Sequence, residues 1–301
     1  MLISDITQAI GNTPLLEIHN TPIPNHNKIL GKCEYLNPAG GIKDRVGVFM
    51  IEQAQKSGLL NPSNVIIEPT AGNTGLGLAL GALKYGYKII LVVPSKFSIQ
   101  KQNLMKALGA EIINTPKELG IQGAIDKTNE LLLTIPQSIC LKQFENPDNP
   151  KAHYLTTAQE IYADCKNIDY FVCGAGSGGS FSGIAKFLKE QNPHTKTILC
   201  DPVGSIIGGD DHTHICSKIE GIGNSFIPTT MDTSLIDDVI KVSDQEALQG
   251  VKMLCQEGVL AGISSGACFV ASLELAKKVK DSTIITIFSD KIERYLDREI
   301  F

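Results

Sequence analysis

The sequence has no apolar run approaching the ~18 residues that a membrane-spanning helix needs. Its first residues, Met1-Leu2-Ile3-Ser4-Asp5, lack the basic segment of a secretory leader. There is no excess of positive charge, because 27 Lys and Arg stand against 32 Asp and Glu and leave a net charge of −5. That balance offers neither a basic footprint for nucleic acid nor a polybasic membrane patch. No two cysteines form a C-x-x-C pair; the eight are scattered at Cys33, Cys140, Cys165, Cys173, Cys200, Cys216, Cys255 and Cys268. Several sit in apolar runs such as Tyr170-Phe171-Val172-Cys173, so they read as buried free thiols of a cytoplasmic protein. His212-Thr213-His214 offers two metal ligands, but no neighbouring cluster completes a site and no metal is expected. Internal repeats and low-complexity tracts are absent. What remains is ordinary: 43% hydrophobic and 20% charged residues in a chain of 301, enough for two domains or one large one.

The order of apolar runs gives the fold class. Gly11-Asn12-Thr13-Pro14 reads as a turn entering a short strand at Leu15-Leu16. Lys43 follows Asn37-Pro38-Ala39-Gly40-Gly41-Ile42 and precedes apolar residues at helical spacing, closed by Ser57-Gly58. The β-branched run Val65 to Glu68 reads as a strand buried on both faces. A tight loop and a small-residue helix (76–85) follow, then strand 89–93, a helix with Leu104, Met105 and Leu108 marking one face, strand 111–113 and helix 120–133. The Asn-Pro pairs within 143–150 mark a boundary between two α/β halves. Beyond it come helix 152–164, strand 170–173, helix 184–188, strand 197–200, helices 244–257 and 265–278, and strand 284–288. Alternation at this spacing implies parallel sheets covered on both faces, an α/β protein.

Four stretches carry chemistry. Lys43 stands where a loop enters a helix, in the positive end of the dipole, which lowers its pKa. A free lysine titrates near ~10.4, so only on the order of one in a thousand is neutral at pH 7. A Schiff-base lysine needs that neutral form; the plain alternative is a solvated lysine at a helix start. Thr70-Ala71-Gly72-Asn73-Thr74 joins strand to helix and offers amides and hydroxyls suited to a carboxylate; its plain reading is an N-cap at Asn73 or Thr74. Gly174-Ala175-Gly176-Ser177-Gly178-Gly179-Ser180 precedes a helix and suits a compact phosphate. Gly174, Gly176 and Gly179 also fit the dinucleotide fingerprint, with Asp201 placed as its ribose acid, so a nicotinamide dehydrogenase is a competing reading. In Gly262-Ile263-Ser264-Ser265-Gly266-Ala267, one serine reads as an N-cap and the other as a ligand contact.

Taken together and in order, these stretches resemble the pyridoxal-phosphate enzymes of the tryptophan-synthase-β fold type, in the cysteine synthase and cystathionine β-synthase branch. The likeness runs from Gly11-Asn12-Thr13-Pro14 to Glu293-Arg294-Tyr295. It implies two three-layer α/β domains with mostly parallel sheets and the active site in the cleft between them. A smaller domain of residues 38–146 would carry the substrate loop; residues 1–37 and 147–301 would form the larger domain with the phosphate loop. The resemblance implies pyridoxal 5'-phosphate as cofactor, with Lys43 its covalent anchor and the carrier of the Cα proton. It implies Asn73 at the ring oxygen, Gly176, Ser177, Gly178, Gly179 and Ser180 around the phosphate, and Ser264 at the pyridine nitrogen. Thr70, Gly72, Thr74 and Gln143 would receive the substrate carboxylate. A neutral hydroxyl such as Ser264 stabilises a protonated ring less than an aspartate does, and that weaker electron sink suits loss of a β-leaving group.

The reaction implied is β-replacement on O-acetylserine or serine, by homocysteine to give cystathionine, by sulfide to give cysteine, or by both. A strict cysteine synthase and a non-catalytic binding relative are the alternatives within the family. Gly41 and Ala71 depart from the usual Ser and Thr-Ser-Gly-Asn, and the hydroxyl lost at residue 71 would leave room for a longer thiol. Glu220-Gly221-Ile222-Gly223 replaces the usual Gln and looks like the cystathionine β-synthases. There Glu220, beside Gly221 at the pocket mouth, would hold the ammonium of homocysteine, a group that sulfide lacks; its plain reading is a solvated loop residue. The chain ends soon after Tyr295, with no regulatory domain or haem segment expected. The resemblance also implies a homodimer and raises a serine acetyltransferase as a partner for the cleft.

Overall fold

A computed structural model describes residues 2–70, 72–209, 217–296 and 300; Ala71, His212, His214 and Cys216 lie outside them. In chain order the elements are β1 (Leu15–Glu17), β2 (Lys28–Cys33), α1 (Lys43–Lys56), β3 (Val65–Pro69), α2 (Asn73–Tyr85), β4 (Lys88–Pro94) and α3 (Ile99–Ala107). They continue with β5 (Glu111–Thr115), α4 (Gly120–Thr134), β6 (Ser138–Ile139), α5 (Asp148–Leu155), α6 (Thr157–Asp164), β7 (Tyr170–Gly174) and α7 (Gly179–Gln191). The last are β8 (Lys196–Pro202), β9 (Asp238–Val242), α8 (Asp244–Gln256), α9 (Ile263–Ala276) and β10 (Thr283–Phe288).

These form two sheets, one ordered β5-β4-β3-β6 and one ordered β1-β2-β10-β7-β8-β9. Every pairing is parallel except β1 with β2. Successive residues of β3 explain why its run is wholly apolar. Ile66 joins the core under α1 and α2, while Ile67 points to the opposite face and packs with Ala124 of α4. Each of these isoleucines is fully buried, worth roughly 1.5–3 kcal/mol apiece in area removed from water. In the larger sheet, Val172 and Ile284 face α8 and α9, whereas Phe171 and Ile285 face α6 and α7. Both sheets are therefore middle layers, as the α/β reading requires.

Three local expectations need correction. The helix expected over 152–164 is two, because Thr156 takes φ −126°, ψ −76° and breaks it. α5 also starts before Pro150, which sits in the first turn, where a missing N–H costs no hydrogen bond. In α3, Leu104 is exposed, and the buried residues are Lys101, Gln102 and Met105. β2, β6 and β9 have no counterpart in the sequence reading. β2 carries Gly31 because any side chain there would run into the ring of Phe288 on β10, and a central glycine and two lysines hide its strand pattern.

Candidate active site

Parallel strands leave their carboxyl ends on one side of a sheet, and ligands bind there. In this chain the ends of β3, β7, β8 and β10 open onto one cavity of about 630 Å³. Two helix starts meet at its floor. The backbone of α1 passes so close to α2 that a side chain on Gly77 would strike the Lys43 carbonyl, and one on Gly47 would strike Gly77. Two glycines thus bring Lys43 and Asn73, the first residues of their helices, to the same cavity.

Lys43 lines that cavity, and its amine has no hydrogen-bond or ion-pair partner among the described residues. Burial holds its pKa below the ordinary lysine value, against the pull of Cys173, Asp290 and Glu34, which favour the charged form. Desolvation of the amine is thus the leading cause of the shift.

Around Lys43 the cavity gathers Thr70, Gly72, Asn73 and Thr74 from the loop after β3 and Gln143 from the loop after β6. It gathers Gly176, Ser177 and Ser180 from the glycine-rich loop and Glu220, Gly221 and Ser264 from the larger half. Gly178 and Gly179 support that loop from behind. Gly178 has φ +85°, and a side chain on either would run into Met231 or Asn149. α7 starts at Gly179, so its first amides have no partner within the helix and suit an anion. Asn149 fixes the loop further by donating to Ser177 Oγ at 2.9 Å. Ser264 is buried, faces the cavity, and has no hydrogen-bond partner among the described residues.

Two N-cap expectations fail. Gly72 precedes α2, and Asn73 spends its amide elsewhere: Nδ2 donates to Asp290 at 2.7 Å, and Oδ1 accepts from Arg294 at 2.5 Å. Gly262 precedes α9, so neither Ser264 nor Ser265 caps it; Ser265 Oγ accepts from the Ser289 amide instead. The loop after β3 is held through a hydroxyl: Thr70 Oγ1 accepts from the Gly72 and Gly75 amides at 3.1 and 3.2 Å, leaving its proton to give. Gln143 is set by Glu68, which accepts from the amides of Leu141, Lys142 and Gln143.

Glu220 is buried and not solvated. Its Oε2 lies 2.6 Å from Lys101 Nζ, which also donates to Tyr295 Oη at 3.0 Å. Tyr295 donates on to Asp290 at 2.6 Å. Lys101, Asp290 and Cys173 were not singled out by the sequence. Asp290 lies just beyond the end of β10, a position where a site residue is expected. The expected ribose acid, Asp201, is buried, accepts from the Gly208 amide and pairs with Lys241 at 2.8 Å. Its Oδ2 is therefore already engaged within the protein, and the nicotinamide reading loses its second support.

A buried, partnerless lysine facing a glycine cradle at a helix start fits an aldehyde cofactor that carries a phosphate. The family model described as "Pyridoxal-phosphate dependent enzyme" matches residues 6–290, and the chain belongs to that family. Its cofactor is pyridoxal phosphate. The chain is 49% identical over 304 residues to an O-acetylserine dependent cystathionine beta-synthase of Bacillus subtilis, covering 100% of this chain and 98% of the relative. It is 46% identical over 307 residues to a cysteine synthase of Helicobacter pylori, covering 100% and 99%. The crystal structure of an O-acetylserine dependent cystathionine beta-synthase from Helicobacter pylori superposes with a TM-score of 0.95 at 46% identity, covering 100% of this chain and 99% of that one. Among the described residues, no helix is long and apolar enough to cross a membrane.

Proposed function

We propose that this enzyme replaces the β-substituent of O-acetylserine or serine, with homocysteine to give cystathionine and with sulfide to give cysteine. The observation that carries the reading is Lys43, a buried amine without a partner, set opposite the start of α7 and Ser264 across one cavity. Pyridoxal phosphate supplies an electron sink for the charge left at Cα. The chain's own residues do the rest. Lys43 holds the cofactor and then carries the Cα proton, a role that its burial favours by disfavouring the charged amine. The α7 amides with Ser177 and Ser180 hold the phosphate, and Asn73 takes the ring oxygen with its second amide hydrogen. Ser264 Oγ meets the ring nitrogen as a neutral partner. The Thr70 hydroxyl, the Gly72 and Thr74 backbone and Gln143 receive the substrate carboxylate.

The relatives carry both activities at similar identity, so likeness does not choose the acceptor. Burial of Glu220 on the cavity wall supports an amino-acid thiol. One observation favours the strict cysteine synthase: Glu220 is already paired with Lys101. We take residues 38–146 as the smaller domain, a reading supported by β3 to β6 all falling inside it. The test is product analysis after incubation with O-acetylserine and each thiol in turn. Cystathionine and cysteine are expected; if homocysteine yields nothing and sulfide yields cysteine, the narrower activity stands.

A further inference from the structure

We infer that Lys101 and Glu220 together form the acceptor's seat: in the free enzyme each holds the place that one charge of a zwitterionic thiol takes. The inference rests on the β-replacement reading and names what selects its second substrate. Lys101 comes from α3 beside the four-stranded sheet, and Glu220 from the loop against the glycine cradle. Both line the cavity that holds Lys43. The Lys101 stem crosses the substrate loop so closely that a Cβ on Gly72 would lie 2.8 Å from its Cδ. Its ammonium therefore sits directly above the loop that receives the first substrate.

Opening a buried ion pair takes from each charge its nearest counter-charge, which is costly unless both are matched again. An amino acid brings a carboxylate and an ammonium on one carbon. Its ammonium replaces Lys101 at Glu220, and its carboxylate replaces Glu220 at Lys101. Tyr295 keeps Lys101 in place through the exchange, because its Oη accepts from Nζ and its ring centroid lies 4.3 Å away. Hydrosulfide carries one charge and no ammonium, so it cannot replace both halves and reacts with the pair intact. The pair therefore discriminates by charge pattern, in addition to any effect of size.

The experiment compares the cofactor-loaded native enzyme with Lys101→Met, which keeps the stem and removes the charge, and with Lys101→Met/Glu220→Gln. The double variant removes both charges of the pair and serves where the single variant fails to fold. The ratio of kcat/KM for homocysteine to that for sulfide is expected to fall about ten- to a hundredfold in each, carried by the homocysteine KM, as for the loss of a charge-assisted hydrogen bond. Titration calorimetry with homocysteine should show a weakening of the same size. A ratio within about threefold of native, or homocysteine binding unchanged, overturns the proposal. Should the native enzyme use neither acceptor, the β-replacement reading fails, and calorimetry still decides whether the pair binds the zwitterion.

Discussion

Lys43 shows how a single side chain can be read from its surroundings. Burial outweighs the anions that would keep it charged, while Arg45, two residues on, is bound directly by two carboxylates. Arg45 lies 2.7 Å from Glu34 and 2.6 Å from Glu160, and Glu34 is wholly buried. Replacing Arg45 by Met strands that carboxylate and should cost about 3–5 kcal/mol in urea denaturation. Lys43→Ala should keep the fold, since no described residue bonds to its amine, yet lose activity by a few orders of magnitude together with covalent cofactor retention. Substantial turnover in that variant would refute its role. Chemistry-bearing residues of this kind were legible in the sequence because each stands in a short, continuous, glycine-containing loop at a helix start: the stretches around Lys43, Asn73, Ser177 and Ser264. Lys101 was not legible, because its partner Glu220 lies 119 residues away and nothing in the stretch around Lys101 marks it.

At the scale of elements, the contact between α1 and α2 governs the site. Gly77 has no room for a methyl group against the Lys43 carbonyl. Gly77→Ala should therefore cost roughly 1–3 kcal/mol by overpacking and loosen cofactor retention, because it moves the residue that anchors it. Full retention with native stability would show that the two helices separate freely. Asp44, next to Lys43, sits in the same entry turn and accepts from the Ala39 amide at 2.6 Å. Burial raises its pKa from 3.8 to about 7, with Arg294 pulling the other way. A carboxyl that binds its proton more tightly when folded favours the fold most below pH 3.8, and that contribution is lost as pH rises through about 7. Against native protein, Asp44→Asn should flatten the fall in stability between pH 5 and pH 8; an identical fall would remove Asp44 from the account. Helix and strand identities followed the apolar runs closely here, but their starts did not. α9 begins before Ser264 because the Gly262 amide donates to the Asp290 carbonyl, a contact from just beyond β10 that no local pattern announces.

For the whole molecule, the two sheets were foreseeable from alternation, whereas the pairing of β2 with β10 was not, since it joins the first strands to the last. That closure brings Asp290 and Tyr295 from the end of the chain over a site begun at Lys43. Solution scattering should give about twice the chain mass of 32.4 kDa for a homodimer, and a monomeric mass would contradict it. The central claim is that Lys43 binds the cofactor covalently at the cavity floor. Borohydride reduction of the coloured protein, followed by peptide mass mapping, tests it most directly. The account predicts bleaching of the visible band and a single modified peptide carrying the cofactor on Lys43. A label on another lysine, or a cofactor still released after reduction, would contradict it.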